Sequence, residues 1–471
     1  MQFVSFEFLI FFPIVCLLYY LIPQKFRYIW LLIASYVFYM SINPGYALLL
    51  AFSTLTTYGC ALGMSLASGN GGKKAYLIAC LVVNIGLLCF FKYASLLSFN
   101  IVLPVGMSFY IFQALGYLID VYKGKIDAEK NIARYALFVS FFPQIMSGPI
   151  ERAGNMLPQF KESKNFDYEN MRSGLLQMMW GYFMKMIVAD RMAIIVATVF
   201  DSYDKYYGTA SLVASILYTF EIYCDFAGYS NIAIGAAKVM GYDLMKNFDS
   251  PYLARSISEF WRRWHISLSS WFKDYLYIPL GGNRKGIVRK YVNILIVFIV
   301  SGMWHGQTLA FVFWGLLHGL YQVVGALLKP VRDKLVEILR IDRESFSHKL
   351  FKMLFTFMLV NIAWIFFRAY SFKQAFGIVS HLFVMKPWVL TDGTLYTLGL
   401  DRPNFLLMVF GAILLIIVDI ANYKNIVISD KIKAQQLWLR WIIYIVAALF
   451  IIVCGVWGPG YDSTSFIYSQ F

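Results

Sequence analysis

Apolar residues fall into twelve long runs, at 3–22, 28–40, 46–65, 76–92, 101–120, 175–200, 210–236, 292–304, 307–328, 351–367, 404–421 and 438–457, separated by short polar and basic stretches. A helix that crosses a bilayer needs about 20 apolar residues. The pattern therefore predicts an all-α, polytopic membrane protein with about 11–12 transmembrane helices. The shortest runs must tilt or stop short of a full crossing. The stretch 135–146 is too short to cross and is expected to form a re-entrant or interfacial helix ending at Ser147-Gly148-Pro149-Ile150. No low-complexity tract, internal repeat or large polar segment divides the chain. It is read as a single membrane domain over 1–471, with an amphipathic block at 255–290 and a tail at 458–471. The first run lacks a basic leader and a small-residue cleavage site, so it is expected to be a retained span.

Composition supports this reading. Hydrophobic residues make up 60% of the 471 and charged residues only 14%, against roughly 25% charged in soluble proteins. The formal net charge of +15 does not call for nucleic acid as a partner. Lys and Arg gathered in cytoplasmic loops, facing anionic membrane lipid, account for it. The basic stretches at 25–27, 73–74, 123–130, 255–290, 329–352 and 424–440 are expected inside, and the loops at 41–45, 201–209 and 385–403 outside. Both termini then fall outside. The six cysteines lie in or beside apolar runs with no metal-ligand spacing and read as small core residues.

The block 255–290 carries eight basic residues against Glu259 and Asp274. At 100° per residue, Trp261, Trp264, Leu268, Trp271, Phe272 and Tyr275 share one face of a helix. The pattern predicts an amphipathic helix in the plane of the interface. His265 falls at the edge of the apolar face and points to the core. The turn that follows, with Gly281, Gly282, Asn283 and Arg284, offers close backbone approach and donors for an anionic group.

His305 ends a run of thirteen apolar residues, 292–304. Such a run covers roughly 20 Å of a hydrocarbon core about 30 Å thick, which leaves the imidazole at membrane depth between Gly302 and Gly306. A histidine there suits a general base, its ordinary pKa being about 6.5; a buried ring bonded to a carbonyl is the bland alternative. His318 lies thirteen residues on. In one continuous helix it would stand about 220° and ~20 Å from His305, so a structural role is expected. The same holds for His348 and His381. No H-x-x-x-H or H-E-x-x-H spacing is present, and no metal is expected. Asp225 sits inside an apolar run, where a carboxylate must be paired; it either orients a histidine, binds an arginine or belongs to a structural ion pair. Glu151 and Arg152 read as an ion pair or helix cap.

Several ordered segments are shared with one family: L-P-V-G-M-S-F-Y-I-F-Q (103–113), Y-L-I-D-V-Y (117–122), F-V-S-F-F-P-Q-I-M-S-G-P-I (138–150), D-F-A-G-Y-S-N-I-A-I-G (225–235), N-F-D-S-P-Y (247–252), the 255–284 block, M-W-H-G (303–306) and W-G-L-L-H-G (314–319). Together they resemble the membrane-bound O-acyltransferase superfamily, in particular its bacterial alginate O-acetylation branch. The resemblance implies a fold thinned at its centre, in which a cytoplasmic acyl thioester reaches a buried histidine and the acyl group leaves on the outer side. It assigns the catalytic histidine to His305 and the second signature position to His265, with Asp225 and Trp304 in support. The tail, with Tyr468, matches an F-x-Y-x-x-F pattern whose tyrosine would relay the acyl group.

On this reading acetyl-CoA is the donor, with no bound cofactor. It would be held by Trp261, Arg262, Arg263, Trp264, Lys273, Asn283 and Arg284, while His265 holds or polarises the thioester carbonyl. The acceptor would be a cell-surface or exported polysaccharide, reached with a separate extracytoplasmic serine-hydrolase-like partner, and the location the plasma membrane of a bacterium. Two alternatives stay open: D-alanyl transfer to teichoic acid, and a non-enzymatic transporter or flippase of a glycan precursor.

Overall fold

The structure is a computed structural model and describes residues 1–94 and 102–457. Every described secondary-structure element is helical. Each of the twelve apolar runs overlaps a helix, but among the described residues eight helices are long and apolar enough to cross a membrane: Pro44–Leu66, Asn70–Tyr93, Thr209–Val239, Ile287–His305, Leu309–Leu327, Phe346–Arg368, Arg402–Tyr423 and Leu437–Cys454. The count falls below the expected 11–12 for a simple reason. Phe6–Leu21, Arg27–Met40 and Met107–Tyr122 have 16, 14 and 16 residues, and at 1.5 Å per residue they reach only about 21–24 Å. Run 175–200 is interrupted by a π-helical segment, Phe183–Ala189.

Local chemistry fixes several helix starts. Asn43 precedes Pro44 and its side chain accepts from the Gly45 N–H at 2.8 Å. Asp401 does the same for Asn404 at 3.1 Å, with Pro403 in the first turn. A short polar acceptor followed by proline is the expected signal for a helix N-terminus.

The described residues form two compact units. The first comprises residues 1–182, 228–246 and 457. Its core includes a ring cluster of Phe3, Phe8, Phe38 and Phe142. Buried hydroxyls and amides bond across helices, as in Ser53 to Asn84 (2.6 Å) and Tyr135 to Thr57 (2.7 Å). Each buried polar group in such surroundings requires a partner. The stretch expected to be re-entrant forms two short helices, Ile132–Ser140 and Phe142–Ile145, buried from Leu137 onward. Glu151 is buried and accepts from the Met245 N–H and from the Asn155 amide. Burial pushes its carboxyl pKa up, although those hydrogen bonds oppose the shift. Its hydrogen bonds tie it to the backbone and amide groups around it.

The second unit comprises residues 183–227 and 247–456 and holds all five histidines. The helices Ile287–His305 and Leu309–Leu327 turn back on one another at Gly306–Thr308. Their approach depends on glycine. A side-chain carbon at Gly302 would strike the Phe311 carbonyl, and one at Gly315 the Phe298 carbonyl.

Candidate active site

The 255–290 block is not one amphipathic helix. It forms Ile257–Arg263, then a break, then Ile266–Phe272, which continues into a π turn, Lys273–Tyr277. Ser256 starts the first piece: its hydroxyl accepts from the Glu259 N–H (3.1 Å), while the Glu259 carboxylate accepts from the Arg255 N–H (2.9 Å). The break is at His265, whose backbone is left-handed (φ 44°, ψ 54°). A non-glycine residue held there stores roughly 1–3 kcal/mol. Two backbone bonds hold it. The Asp249 N–H donates to the Arg263 carbonyl and the Ile266 N–H to the Asn247 carbonyl, each at 2.9 Å. Strand-like clasping of 247–249 against 263–266 thus replaces the helical ladder. The apolar residues expected on one helix face are buried nonetheless.

His265 is completely buried. Burial pushes its pKa down to about 3, so the ring is neutral at physiological pH. Its Nδ1 lies 3.1 Å from Asn247 Oδ1. That amide oxygen is identified by the Ser267 backbone N–H, which donates to it at 3.3 Å, and by the Ser267 hydroxyl at 2.9 Å. An oxygen can only accept, so His265 carries its proton on Nδ1 and its lone pair on Nε2. The expected carbonyl-polarising part needs a proton on Nε2, and this hydrogen-bond arrangement puts it on the other nitrogen.

His305 is the last residue of its helix and is 3% exposed. Aromatic rings surround it: Trp304 at 4.9 Å, Trp314 at 5.0 Å and Phe367 at 5.4 Å between centroids. Trp304 also lies 6.2 Å from the His265 ring, so one indole borders both imidazoles. Phe226 meets His265 edge-on at 4.7 Å.

His318 is not on the same helix as His305, contrary to the continuous helix assumed above, because the chain reverses at Gly306. It is fully buried, and its Nδ1 accepts from the Trp261 indole N–H at 3.2 Å. Its ring packs on Trp314 at 5.2 Å, and so it shares a neighbour with His305. Sequence spacing hid this, since the turn that brings the two helices together is only three residues long. Asn247 was likewise quoted only as part of a shared segment; nothing in the sequence signalled that it fixes a histidine tautomer.

Of the readings open for Asp225, the structural ion pair is the one present. Asp225 pairs with Lys185 at 2.6 Å, and Lys185 also pairs with Asp190 at 2.8 Å, all with buried side chains. Positions five apart diverge by about 140° on an α-helix. The π segment, with its i→i+5 hydrogen bonds, lets Lys185 and Asp190 face each other. Among the described residues no group of three His, Cys, Asp or Glu side chains is placed to hold a metal.

A cavity of about 1830 Å³ opens within this unit. Its lining includes the buried Trp261, Phe298 and Ser301 and the more exposed Arg255, Lys273, Lys290 and Lys329. Ser301 stands four residues before His305 on the same helix face, about 6 Å along the axis. Of the residues expected to hold a donor, Trp261 and Lys273 line this cavity. Arg262 is exposed. Arg263 is tied to Glu259 and Asp249 and lies over the Tyr423 ring at 4.8 Å. Trp264 is locked among Phe248, Phe260 and Trp364. Asn283 and Arg284 lie on an exposed loop. Tyr468 falls outside the described residues.

The profile of the MBOAT, or membrane-bound O-acyltransferase, family matches residues 32–372. A probable alginate O-acetylase of Pseudomonas putida is 36% identical over 402 residues, 81% of this chain and 80% of that one. A peptidoglycan O-acetyltransferase of Helicobacter pylori is 36% identical over 390 residues, 74% and 72% of the two chains. A teichoic acid D-alanyltransferase of Streptococcus thermophilus is 29% identical over 245 residues, 49% and 57%.

Proposed function

The chain belongs to the membrane-bound O-acyltransferase family and is a multi-pass membrane acyltransferase; from that premise we propose that it moves an acetyl group from cytoplasmic acetyl-CoA to hydroxyls of a cell-surface or exported polysaccharide in a bacterial plasma membrane. The observation that carries this reading is the cavity. The more exposed cations of its lining, Arg255, Lys273 and Lys290, are taken as its mouth and suit the phosphates of a nucleotide thioester, and its buried lining reaches Ser301, about one helical turn from His305. That mouth draws on the basic stretch 255–290, which the charge asymmetry puts toward the cytoplasm.

In the proposed reaction His305 removes the proton from the acceptor hydroxyl as its oxygen attacks the thioester carbonyl carbon. The tetrahedral intermediate collapses, the C–S bond breaks, and the imidazolium returns the proton to the leaving thiolate. The products are an acetyl ester and a free thiol, with no net proton gained or lost. The Asn247 bond supports a hydrogen-bond-accepting part for His265 at Nε2, with the ring neutral, in place of the carbonyl-polarising one. Arg255 joins Trp261 and Lys273 in the donor seat, since it lines the cavity and forms no ion pair among the described residues. Trp304 keeps both rings in place; Asp225 acts through Lys185 on the frame. Tyr468 is the proposed relay toward a serine-hydrolase-like partner outside the membrane.

The test supplies acetyl-CoA labelled in the acetyl group to inverted membrane vesicles. Label is expected in the surface polysaccharide only when the chain is present. Label that stays on the thioester, with D-alanine transferred from a charged carrier protein instead, would replace this reading with the D-alanyl one. Movement of intact glycan precursor without label would replace it with a flippase.

A further inference from the structure

The cavity has two different walls. On the side of Ile257–Phe272 and Ile287–His305 it is closed by buried rings such as Trp261 and Phe298. On the other side its lining comes from Leu309–Leu327 and Phe346–Arg368 and is open. Leu320, Val324, Phe355 and Phe351 line it and are 38%, 46%, 47% and 65% exposed. Large apolar side chains on spanning helices, exposed along a cavity, face the acyl chains of a bilayer. The volume of about 1830 Å³ also exceeds the roughly 300–1,000 Å³ of an ordinary small-molecule site, which leaves room for an occupant besides the donor.

Charge at the open rim is sorted. Its two carboxylates are already neutralised, Asp333 by Arg343 at 2.8 Å and Glu344 by Lys349 at 2.7 Å. Lys329, Arg332 and Lys352 line the same rim and have no carboxylate partner among the described residues. Lys329 and Arg332 sit on a short helix, Lys329–Ile338, whose Val331, Leu335 and Ile338 are exposed. A basic helix with an exposed apolar side lies at the boundary of membrane and water. Basic pockets between spanning helices at that depth recruit anionic head groups.

We propose that the open side of the cavity binds one anionic phospholipid, its chain along Leu320, Val324, Phe351 and Phe355 and its phosphate at Lys329, Arg332 and Lys352. The lipid completes the wall that the protein leaves open and sits beside the donor seat. The readout is binding, so its failure leaves the acyl-transfer proposal standing.

The experiment places the full chain in nanodiscs of phosphatidylcholine with one-fifth phosphatidylglycerol and counts retained lipids by native mass spectrometry. Wild type is expected to hold one phosphatidylglycerol, at least about five-fold over its share of the bilayer. The variant K329Q/R332Q/K352Q is expected to lose that preference, and K329R/K352R to keep it. Val324→Trp, which fills the open side, is expected to lower retention of both lipids. An excess of acetyl-CoA is expected to leave the lipid bound. Equal retention of the two lipids by wild type overturns the proposal, as does a preference that survives the triple variant or phosphatidylglycerol retention that Val324→Trp leaves unchanged. Displacement of the lipid by acetyl-CoA overturns it too, and assigns the whole cavity to the donor.

Discussion

His305→Ala is expected to abolish acetyl transfer. Loss of a positioned general base costs about 10²–10⁴ in rate, and here the reaction also loses the group that returns a proton to the leaving thiol. The substitution removes a ring packed against Trp304, Trp314 and Phe367, so part of any loss would be structural. His305→Gln separates the two effects, because it keeps most of the volume and a polar tip but cannot act as a base near neutral pH. Both variants should reach the membrane in normal amounts, judged by immunoblot, and both should leave the polysaccharide unlabelled. Glutamine at this position with more than about a tenth of wild-type transfer would remove His305 from the role of base.

Lys185→Met is expected to have the largest effect on stability. It leaves Asp190 and Asp225 buried without the ammonium that both contact. Breaking one partner out of a buried pair costs about 3–5 kcal/mol, a large share of the 5–15 kcal/mol that a typical domain has in total. Thermal unfolding in detergent should show little folded protein at 37 °C. Adding Asp190→Asn and Asp225→Asn should restore part of the loss, since the uncompensated charges go with the cation. The exposed pair Lys433–Asp430, 3.6 Å apart, provides the contrast. Lys433→Met should shift the midpoint by no more than the about 0–1 kcal/mol of a surface pair. Equal shifts for Lys185→Met and Lys433→Met would show that the buried triad contributes no more than a surface contact.

The helices were legible because apolar runs of this length have few other solutions in a membrane. Burial of His305 and His265 was legible for the same reason, as both interrupt apolar surroundings. The break at His265 was not. Its left-handed backbone is enforced by Asn247 and Asp249, eighteen and sixteen residues upstream, and no local propensity reports a clasp of that kind. The partner of Asp225 was equally hidden: Lys185 lies forty residues away and reaches it from a π segment that sequence periodicity does not register. Arg262 and Arg263 looked like donor ligands because they are basic and adjacent to tryptophans. Arg263 is occupied by Glu259 and Asp249, and from this block the cavity takes Arg255 and Lys290 beside the expected Lys273. Which charges face a cavity depends on where the chain breaks, and the helical wheel over 261–275 assumed no break at His265.

The central claim is that a thioester entering through the basic mouth meets His305. A structure of the full chain with a non-hydrolysable thioether analogue of acetyl-CoA measures this directly. The account predicts phosphates among Arg255, Lys273 and Lys290, the pantetheine arm along Trp261 and Ser301, and the acyl carbon beside His305 with room for an attacking oxygen at about 3–3.5 Å. An acyl end seated elsewhere, with Trp304, Trp314 and Phe367 still closed around the imidazole, would contradict it.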